Sequence, residues 1–231
     1  MCRHLTRLFV PLFVLAILTP VAARDQSADA IAADAARLVQ ALNIRAGSVV
    51  AELGAGDGAL TVAIARIVGE QGRVYSTELS KASLVKIEAA AAAAGLKNVT
   101  VVEGTAAQTK LPEQCCDAIF MRDVYHHFSE PPAMNASVLA SLRPGGVLGV
   151  LDFGPPPGSE SPDPAARGID GQHGITPATL ERELKAADFE AVSTTPIAFR
   201  SFLTVGRRPG PVARGTGTQH VARRTFEHVA P

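Results

Sequence analysis

The stretch VVAELGAGDGALTVAIA, residues 49–65, decides how this chain is expected to fold. An apolar run ends in the acid Glu52, and Gly54, Gly56 and Gly58 precede an apolar sequence with helical spacing. Glycine allows a sharp turn and lets a ligand approach the main chain without a side chain intervening. The free N–H groups that open the next helix favour negative charge. The stretch therefore predicts a strand, a tight turn and a helix that together hold a nucleotide-like ligand.

Glu52 is the residue that discriminates between such ligands. A loop made for a pyrophosphate has little reason to place a carboxylate two residues before its first glycine, whereas a ligand with an ammonium group does. S-adenosylmethionine carries such an amino-acid end and a sulfonium cation. The spacing Gly54-x-Gly56-x-x-Ala59 also satisfies the loose dinucleotide pattern, so NAD is an alternative at this point. Glu78 ends the second predicted strand, where a ribose of either cofactor would need an acid.

The rest of the chain alternates strands with helices. Strands are predicted at 48–53, 73–77, 99–102, 117–121, 147–153, 190–194 and 199–205, and helices at 28–42, 58–68, 80–94, 134–142 and 176–187. Such alternation predicts an α/β fold, a Rossmann-like doubly wound sheet of seven strands with helices on both faces. The last two strands read as a hairpin, so the final strand should run antiparallel to an otherwise mostly parallel sheet.

Three later segments extend the pattern: GLKNVTVVEGTA at 95–106, DAIFMRDVYHHF at 117–128 and LRPGGVLGVLDF at 142–153. With the glycine motif, and in this order, they resemble the class I S-adenosylmethionine-dependent methyltransferases over roughly residues 30 to 205. The resemblance implies that family's fold, S-adenosylmethionine as cofactor, and transfer of a methyl group to a small molecule.

The resemblance also implies which residues contact the cofactor. They are Glu52, Gly54, Ala55, Gly56 and Gly58 around the first strand, Glu78 and Leu79 at the ribose and adenine, and Gly104 and Thr105 after the third strand. Arg122, after the fourth strand, is a further cofactor-binding candidate; contact with an acidic substrate and a surface ion pair are its alternatives. Many relatives have Gly-Asp where this chain has Gly104-Thr105, so the contact to the adenine amino group differs here.

The segment MRDVYHHF leaves the fourth strand where the transferred methyl would point. Methyl transfer needs alignment of nucleophile, methyl and sulfur, and sometimes removal of a proton. Asp123, His126 and His127 are therefore the candidate catalytic residues, although His-His-Phe also occurs as a structural turn. Asp152 and His173 reach the same edge and could form a metal site with Asp123. No spacing requires one, and we expect no metal.

The amino terminus, MCRHLTRLFVPLFVLAILTPVAARDQ, has Arg3 and Arg7 before an apolar core, and small residues up to Ala23. The core is shorter than a membrane span needs, and the pattern is typical of a secretory signal peptide. We expect a signal peptide at 1–23, a methyltransferase domain at 24–206 and a disordered tail at 207–231, in a periplasmic or secreted protein. An uncleaved membrane anchor or an over-extended start codon is the alternative. Export raises the question of how a cytoplasmic cofactor would reach the enzyme.

The formal net charge is zero, and no recognition domain is evident. These features favour a small-molecule partner over nucleic acid. We expect no stable membrane association after signal cleavage. A non-catalytic nucleoside-binding protein and an NAD-dependent oxidoreductase are the competing functions.

Cys115 and Cys116 are adjacent and could form only a vicinal disulfide; a structural role at the start of a strand is favoured over a redox one. The long Pro/Gly-rich segment 154–175 is expected to act as a lid.

Overall fold

The computed structural model describes residues 27–210. The helices are α1 (Ala28–Leu42), α2 (Ala59–Val68), α3 (Lys81–Ala93), α4 (Pro131–Ser141) and α5 (Pro177–Ala186). The strands are β1 (Val49–Leu53), β2 (Arg73–Glu78), β3 (Val99–Glu103), β4 (Cys116–Arg122), β5 (Leu142–Phe153), β6 (Glu190–Ala198) and β7 (Ser201–Arg207). Short 3-10 turns cover Tyr125–His127 and Pro164–Ala166. The alternation expected from the sequence is confirmed.

The strands form one seven-stranded sheet in the order β3-β2-β1-β4-β5-β7-β6. Strands β1 to β5 pair in parallel, and β7 pairs antiparallel with both β5 and β6. The predicted fold class, including its antiparallel last strand, is therefore correct. The order reverses between β1 and β4, and in open parallel sheets ligands bind at such a switch point, beyond the carboxyl ends of the strands.

Two apolar cores flank the sheet. On one face, Leu38 of α1 and Ile64 of α2 are completely buried against the strands. On the other face, Val138 of α4 and Leu180 of α5 are equally buried. Covering both faces leaves the carboxyl edge of the sheet as the place where loops and polar side chains meet. Among residues 27–210, no helix is both long enough and apolar enough to cross a membrane.

Helix α4 begins at Pro131, three residues earlier than Met134, where we expected it to begin. A proline in the first turn is tolerated because its missing N–H would have no partner inside the helix. Cys116 is the first residue of β4 and is fully buried, which agrees with its expected structural role. Its sulfur is bonded to that of Cys115, so the vicinal disulfide is formed.

The expected start of the tail at residue 207 is wrong. Arg207 belongs to β7, and its guanidinium donates to the carbonyl of Gly145 at 2.7 Å. The backbone N–H of Arg208 donates to Gly146 at 2.8 Å. Its guanidinium donates to the carbonyls of Leu139, Ala140 and Leu142 at the end of α4. The folded domain therefore extends at least through residue 208. The predicted signal peptide and residues 211–231 lie outside the described residues.

Candidate functional site

The glycine loop leaves the carboxyl end of β1 with its backbone exposed to the switch point. Gly54 has a φ of +68°, and a Cβ there would lie 2.4 Å from Cγ2 of Val124. Gly56 has a φ of +61°, and a Cβ there would meet no atom within 4 Å. Gly58 caps α2 and packs against the backbone of Ile87 in α3. The loop thus presents bare main chain at Gly56, while its other two glycines permit close packing.

Two cavities adjoin at this loop. They measure about 490 and about 300 Å³, in the range of small-ligand sites, and Gly54, Glu78, Val124 and His127 line both. Of the predicted residues, the larger cavity is lined by Glu52, Gly54, Ala55, Gly56, Glu78, Arg122, Asp123 and His127, and the smaller by Gly54, Glu78, Leu79, Gly104, Thr105 and His127. A groove of about 620 Å³ between α4 and α5 carries none of the predicted residues.

Glu52 is an almost fully buried acid, 3% exposed, in the wall of the larger cavity. The hydroxyl of Thr61 on α2 donates to its Oε2. Ser76 Oγ lies 2.7 Å from the same hydroxyl and, since the Thr61 proton is directed to Glu52, donates to it. Burial raises the pKa of Glu52 to about 8, against smaller opposing effects of the Thr61 hydrogen bond and the charge of Arg122. A cation entering this cavity would therefore meet a carboxyl group that ionises in response.

Glu78 joins the two cavities. Its Oε1 accepts a hydrogen bond from the N–H of Gly56 at 2.9 Å, and its Oε2 accepts one from the N–H of Leu79 at 2.9 Å. A carboxylate offers about four acceptor positions, so two remain for ligand hydroxyls. Leu79 lines the smaller cavity with 58% of its surface exposed, which presents an apolar face suited to a flat ring.

Gly104 and Thr105 form the far wall of the smaller cavity. The N–H of Gly104 donates to the carbonyl of Glu78 at 3.0 Å, which holds this turn beside the end of β2. The N–H of Thr105 donates to the carbonyl of Gln108 at 2.8 Å, and its hydroxyl lies 3.5 Å from the same oxygen. Thr105 thus stands where the family resemblance leads us to expect an acid, and its hydroxyl is directed toward the protein's own backbone.

Arg122 and Asp123 close the larger cavity on the side of β4. Nη1 of Arg122 lies 3.3 Å from Oδ2 of Asp34 on α1, and both side chains are buried. This ion pair fixes α1 beside the cavity. Asp123 has a φ of +57°, an uncommon conformation for a residue other than glycine, and its N–H donates to the carbonyl of Leu151 at 2.9 Å. Its Oδ2 lies 3.9 Å from Nε of Arg122.

His126 and His127 point in different directions from one 3-10 turn. His126 is buried outside both cavity linings; its Nδ1 lies 2.7 Å from Oδ1 of Asp152 and its Nε2 lies 2.9 Å from Nε2 of His173. His127 is exposed and lines both cavities. Desolvation, followed by repulsion from the His126 ring, lowers the pKa of His127 and of His173. Only His127 and Asp123 of the predicted catalytic residues therefore face the cavities.

The Pro/Gly-rich loop before α5, expected as a lid, is anchored to α5 at two points within it. Arg167 is buried and donates to both carboxylate oxygens of Glu183 on α5, at 2.6 and 3.2 Å. Glu160 accepts hydrogen bonds from the N–H and the hydroxyl of Thr176, at 2.7 and 2.8 Å, where α5 begins. These contacts hold His173 against His126, so the loop is a packed wall on this side of the site.

Several lining residues were missed by the sequence prediction. Val124 lines both cavities and packs against Gly54; its position inside DVYHHF was the available signal. Ile31 of α1 and Ser83 and Lys86 of α3 also line the larger cavity. Nothing in the sequence distinguishes them from other residues of those helices, because their position depends on how the helices pack.

Comparison with known proteins supports the assignment of the fold. A family model described as a methyltransferase domain matches residues 50–146. The ubiquinone/menaquinone biosynthesis C-methyltransferase UbiE of Marinomonas sp. is 31% identical over 114 residues, which are 49% of this chain and 45% of that protein. The chain thus matches less than half the length of this relative.

Two solved structures share the architecture. A SAM-dependent methyltransferase from Aquifex aeolicus has a TM-score of 0.65 and 21% identity, over 76% of this chain and 89% of that chain. A possible exported protein from Bordetella parapertussis has a TM-score of 0.61 and 17% identity, over 78% of this chain and 67% of that chain. With the strand order described above, these likenesses identify the fold as that of the class I S-adenosylmethionine-dependent methyltransferases.

Proposed function

We propose that this protein is an S-adenosylmethionine-dependent methyltransferase acting on a small-molecule acceptor. The observation that carries the proposal is the position of Glu52, a buried acid in the cavity beside the open backbone of Gly56. The match of residues 50–146 to a methyltransferase domain supports it independently.

The cavity residues fit the cofactor along its length. Glu52 would hold the ammonium group of the methionine end, and a pyrophosphate would instead meet this acid unfavourably. Glu78 would accept from the ribose hydroxyls, and the exposed face of Leu79 would cover the adenine. Gly104 and Thr105 would border the adenine edge. When bound, S-adenosylmethionine supplies a methyl group activated by a sulfonium centre.

The acceptor would lie toward β4, where Asp123 and His127 line the larger cavity. Asp123 is the group best placed to orient the acceptor or take its proton, because its backbone is held by Leu151 and its side chain lies beside Arg122. His126 is enclosed between Asp152 and His173, and acts only through its neighbours. The C-methyltransferase relatives suggest carbon as the acceptor atom, but they match only about half of this chain and less than half of their own length.

The test is a calorimetric titration of the full chain with S-adenosylmethionine, S-adenosylhomocysteine and NAD in parallel. Binding of the two adenosyl compounds, without NAD, supports the proposal. NAD binding alone would favour an oxidoreductase. Binding without methyl transfer across a broad panel of acceptors would favour a non-catalytic nucleoside-binding protein, and no binding of any of the three would refute the cofactor assignment.

We also propose that the protein is exported, on the strength of the signal-like sequence at residues 1–23. The likeness to a possible exported protein of the same fold supports the compatibility of this architecture with export. Fractionation of expressing cells, with determination of the mature amino terminus, tests this. A mature chain that starts near Arg24 outside the cytoplasm is expected; an intact amino terminus in the membrane would indicate an anchor instead.

A further inference from the structure

Three histidines from distant parts of the sequence converge beside the larger cavity. They are His126 and His127 on the turn after β4 and His173 at the end of the loop before α5. One ring nitrogen from each lies within 4.8 Å of the other two. The metal trio considered from the sequence, Asp123 with Asp152 and His173, is not the set brought together here.

Asp152 determines how the first of these rings is oriented. The carboxylate accepts from Nδ1–H of His126 at 2.7 Å and from the His126 backbone N–H at 3.3 Å. A neutral imidazole that donates through Nδ1 carries its lone pair on Nε2. That nitrogen faces Nε2 of His173 at 2.9 Å. A carboxylate behind a histidine, with the lone pair aimed away from it, is the usual arrangement around a metal-bound histidine.

We propose that His126, His127 and His173 bind a divalent transition-metal ion, with Zn²⁺ the best match to three imidazole ligands. Tetrahedral coordination at about 2.0 Å would place the nitrogens about 3.3 Å apart. The His126–His173 pair must therefore open slightly from 2.9 Å, and His127 must swing inward. His127 is exposed, so its ring has room to turn inward. The His126–His173 pair needs to open by only about 0.4 Å, which leaves the packed loop around His173 in place.

Three protein ligands leave a fourth position free. His127 also lines the larger cavity, so that position adjoins the space proposed for the acceptor. The ligand class that suits it is a small molecule with an oxygen, nitrogen or sulfur donor atom. The metal site itself follows from the histidine geometry and stands whether or not the methyltransferase proposal is correct.

Metal binding is tested on the full chain, purified without a histidine tag and treated with a chelator. Titration with Co²⁺ is expected to give one site with the intense visible absorption of four-coordinate cobalt, and Zn²⁺ should abolish that absorption by displacement. His173→Ala and His127→Gln should each weaken Co²⁺ binding at least about 10-fold, since each removes one of three ligands. Using two variants separates loss of a ligand from misfolding, and circular dichroism checks the fold of each.

A matched control is the double variant His220→Ala/His228→Ala, which removes histidines outside the described residues. It should bind Co²⁺ like the parent chain. Asp152→Asn should keep the site but weaken it about 10- to 100-fold, as loss of a carboxylate behind a ligand does. The proposal is overturned if the chain binds neither metal, if only the octahedral spectrum appears, or if binding follows the tail histidines and survives His173→Ala and His127→Gln.

Discussion

Binding of S-adenosylhomocysteine should release a proton from Glu52. The carboxyl group is buried, and its pKa is raised to about 8 chiefly by desolvation. At pH 7 a group with this pKa is about 90% protonated. An ammonium group placed beside it favours the charged form, so the bound state should contain the carboxylate. We therefore expect release of about 0.9 proton per ligand bound at pH 7.

The same linkage fixes the pH dependence of affinity. Below its pKa, Glu52 must lose its proton before it can pair with the ligand. Between about pH 6 and pH 7.5 the ionised fraction rises about 20-fold, and the association constant should rise in proportion. Glu52→Gln should remove this slope and the proton release. It should also weaken binding about 10-fold or more near pH 8, with the difference narrowing as pH falls.

Calorimetry in two buffers of different ionisation enthalpy measures the released protons directly. Glu88→Gln, the same change on an exposed position of α3, is the matched control and should behave like the parent chain. Proton release that persists in Glu52→Gln, or affinity that stays flat over this pH range, would refute the reasoning. In that case the ammonium group does not lie at Glu52.

Stability provides a second readout for the same group without any ligand. Because the folded-state pKa of Glu52 lies above its ordinary value of 4.5, the folded chain holds this proton to higher pH than the unfolded chain. The free energy of unfolding should therefore fall as pH rises from about 4.5 to about 8. At pH 7 the loss relative to pH values below 4.5 should reach about 3 kcal/mol. Urea denaturation of the parent and Glu52→Gln chains should show this fall only in the parent; parallel pH profiles would contradict it.

Gly56→Ala should abolish adenosyl-ligand binding and lower the free energy of unfolding by about 1 kcal/mol. Gly47 also has a positive φ and open surroundings but lies away from the cavity. Gly47→Ala should therefore lose stability without losing binding, as measured by paired ligand titration and urea denaturation. Arg208→Ala should lower the free energy of unfolding by about 1 to 2 kcal/mol, because its guanidinium donates hydrogen bonds to the carbonyls that end α4. An unchanged denaturation midpoint would show that Arg208 does not contribute to the folded domain. Arg167→Met should lower the free energy of unfolding by about 3 kcal/mol, because it removes the positive charge that pairs with the Glu183 carboxylate. Adding Glu183→Gln should recover part of the lost thermal stability; additive losses would show that the pair is not coupled.

Local sequence patterns were enough to place the cofactor half of the site. Glu52 and Glu78 end adjacent parallel strands, with Leu53 of β1 in register with Thr77 of β2, so their side chains had to emerge at the same edge. The glycine spacing specified the turn between them. These features depend on strand ends and turn residues, which a short segment of sequence is enough to predict.

The other half depends on tertiary packing. His126 and His173 lie 47 residues apart, and their contact requires a loop anchored by Arg167. Arg122 pairs with Asp34, 88 residues earlier in the sequence, and no local pattern predicts this contact. The His-His pair was recognised as a candidate, but its two rings could not be told apart, because burial of one and exposure of the other are set by the elements that pack around the turn.

His127 links the two halves, since it lines both cavities and belongs to the histidine cluster. A metal ion that draws this ring inward would reshape the wall shared with the adenosyl ligand, and a ligand that holds the ring outward would disfavour the metal. Thermodynamic linkage makes the two effects equal in size. The affinity for S-adenosylhomocysteine with and without Zn²⁺ would therefore report the same coupling free energy as the affinity for Zn²⁺ with and without that ligand. Asp123 is four residues earlier on the chain, and its backbone N–H donates to the carbonyl of Leu151 in β5. It therefore keeps its place in the larger cavity whichever way His127 turns.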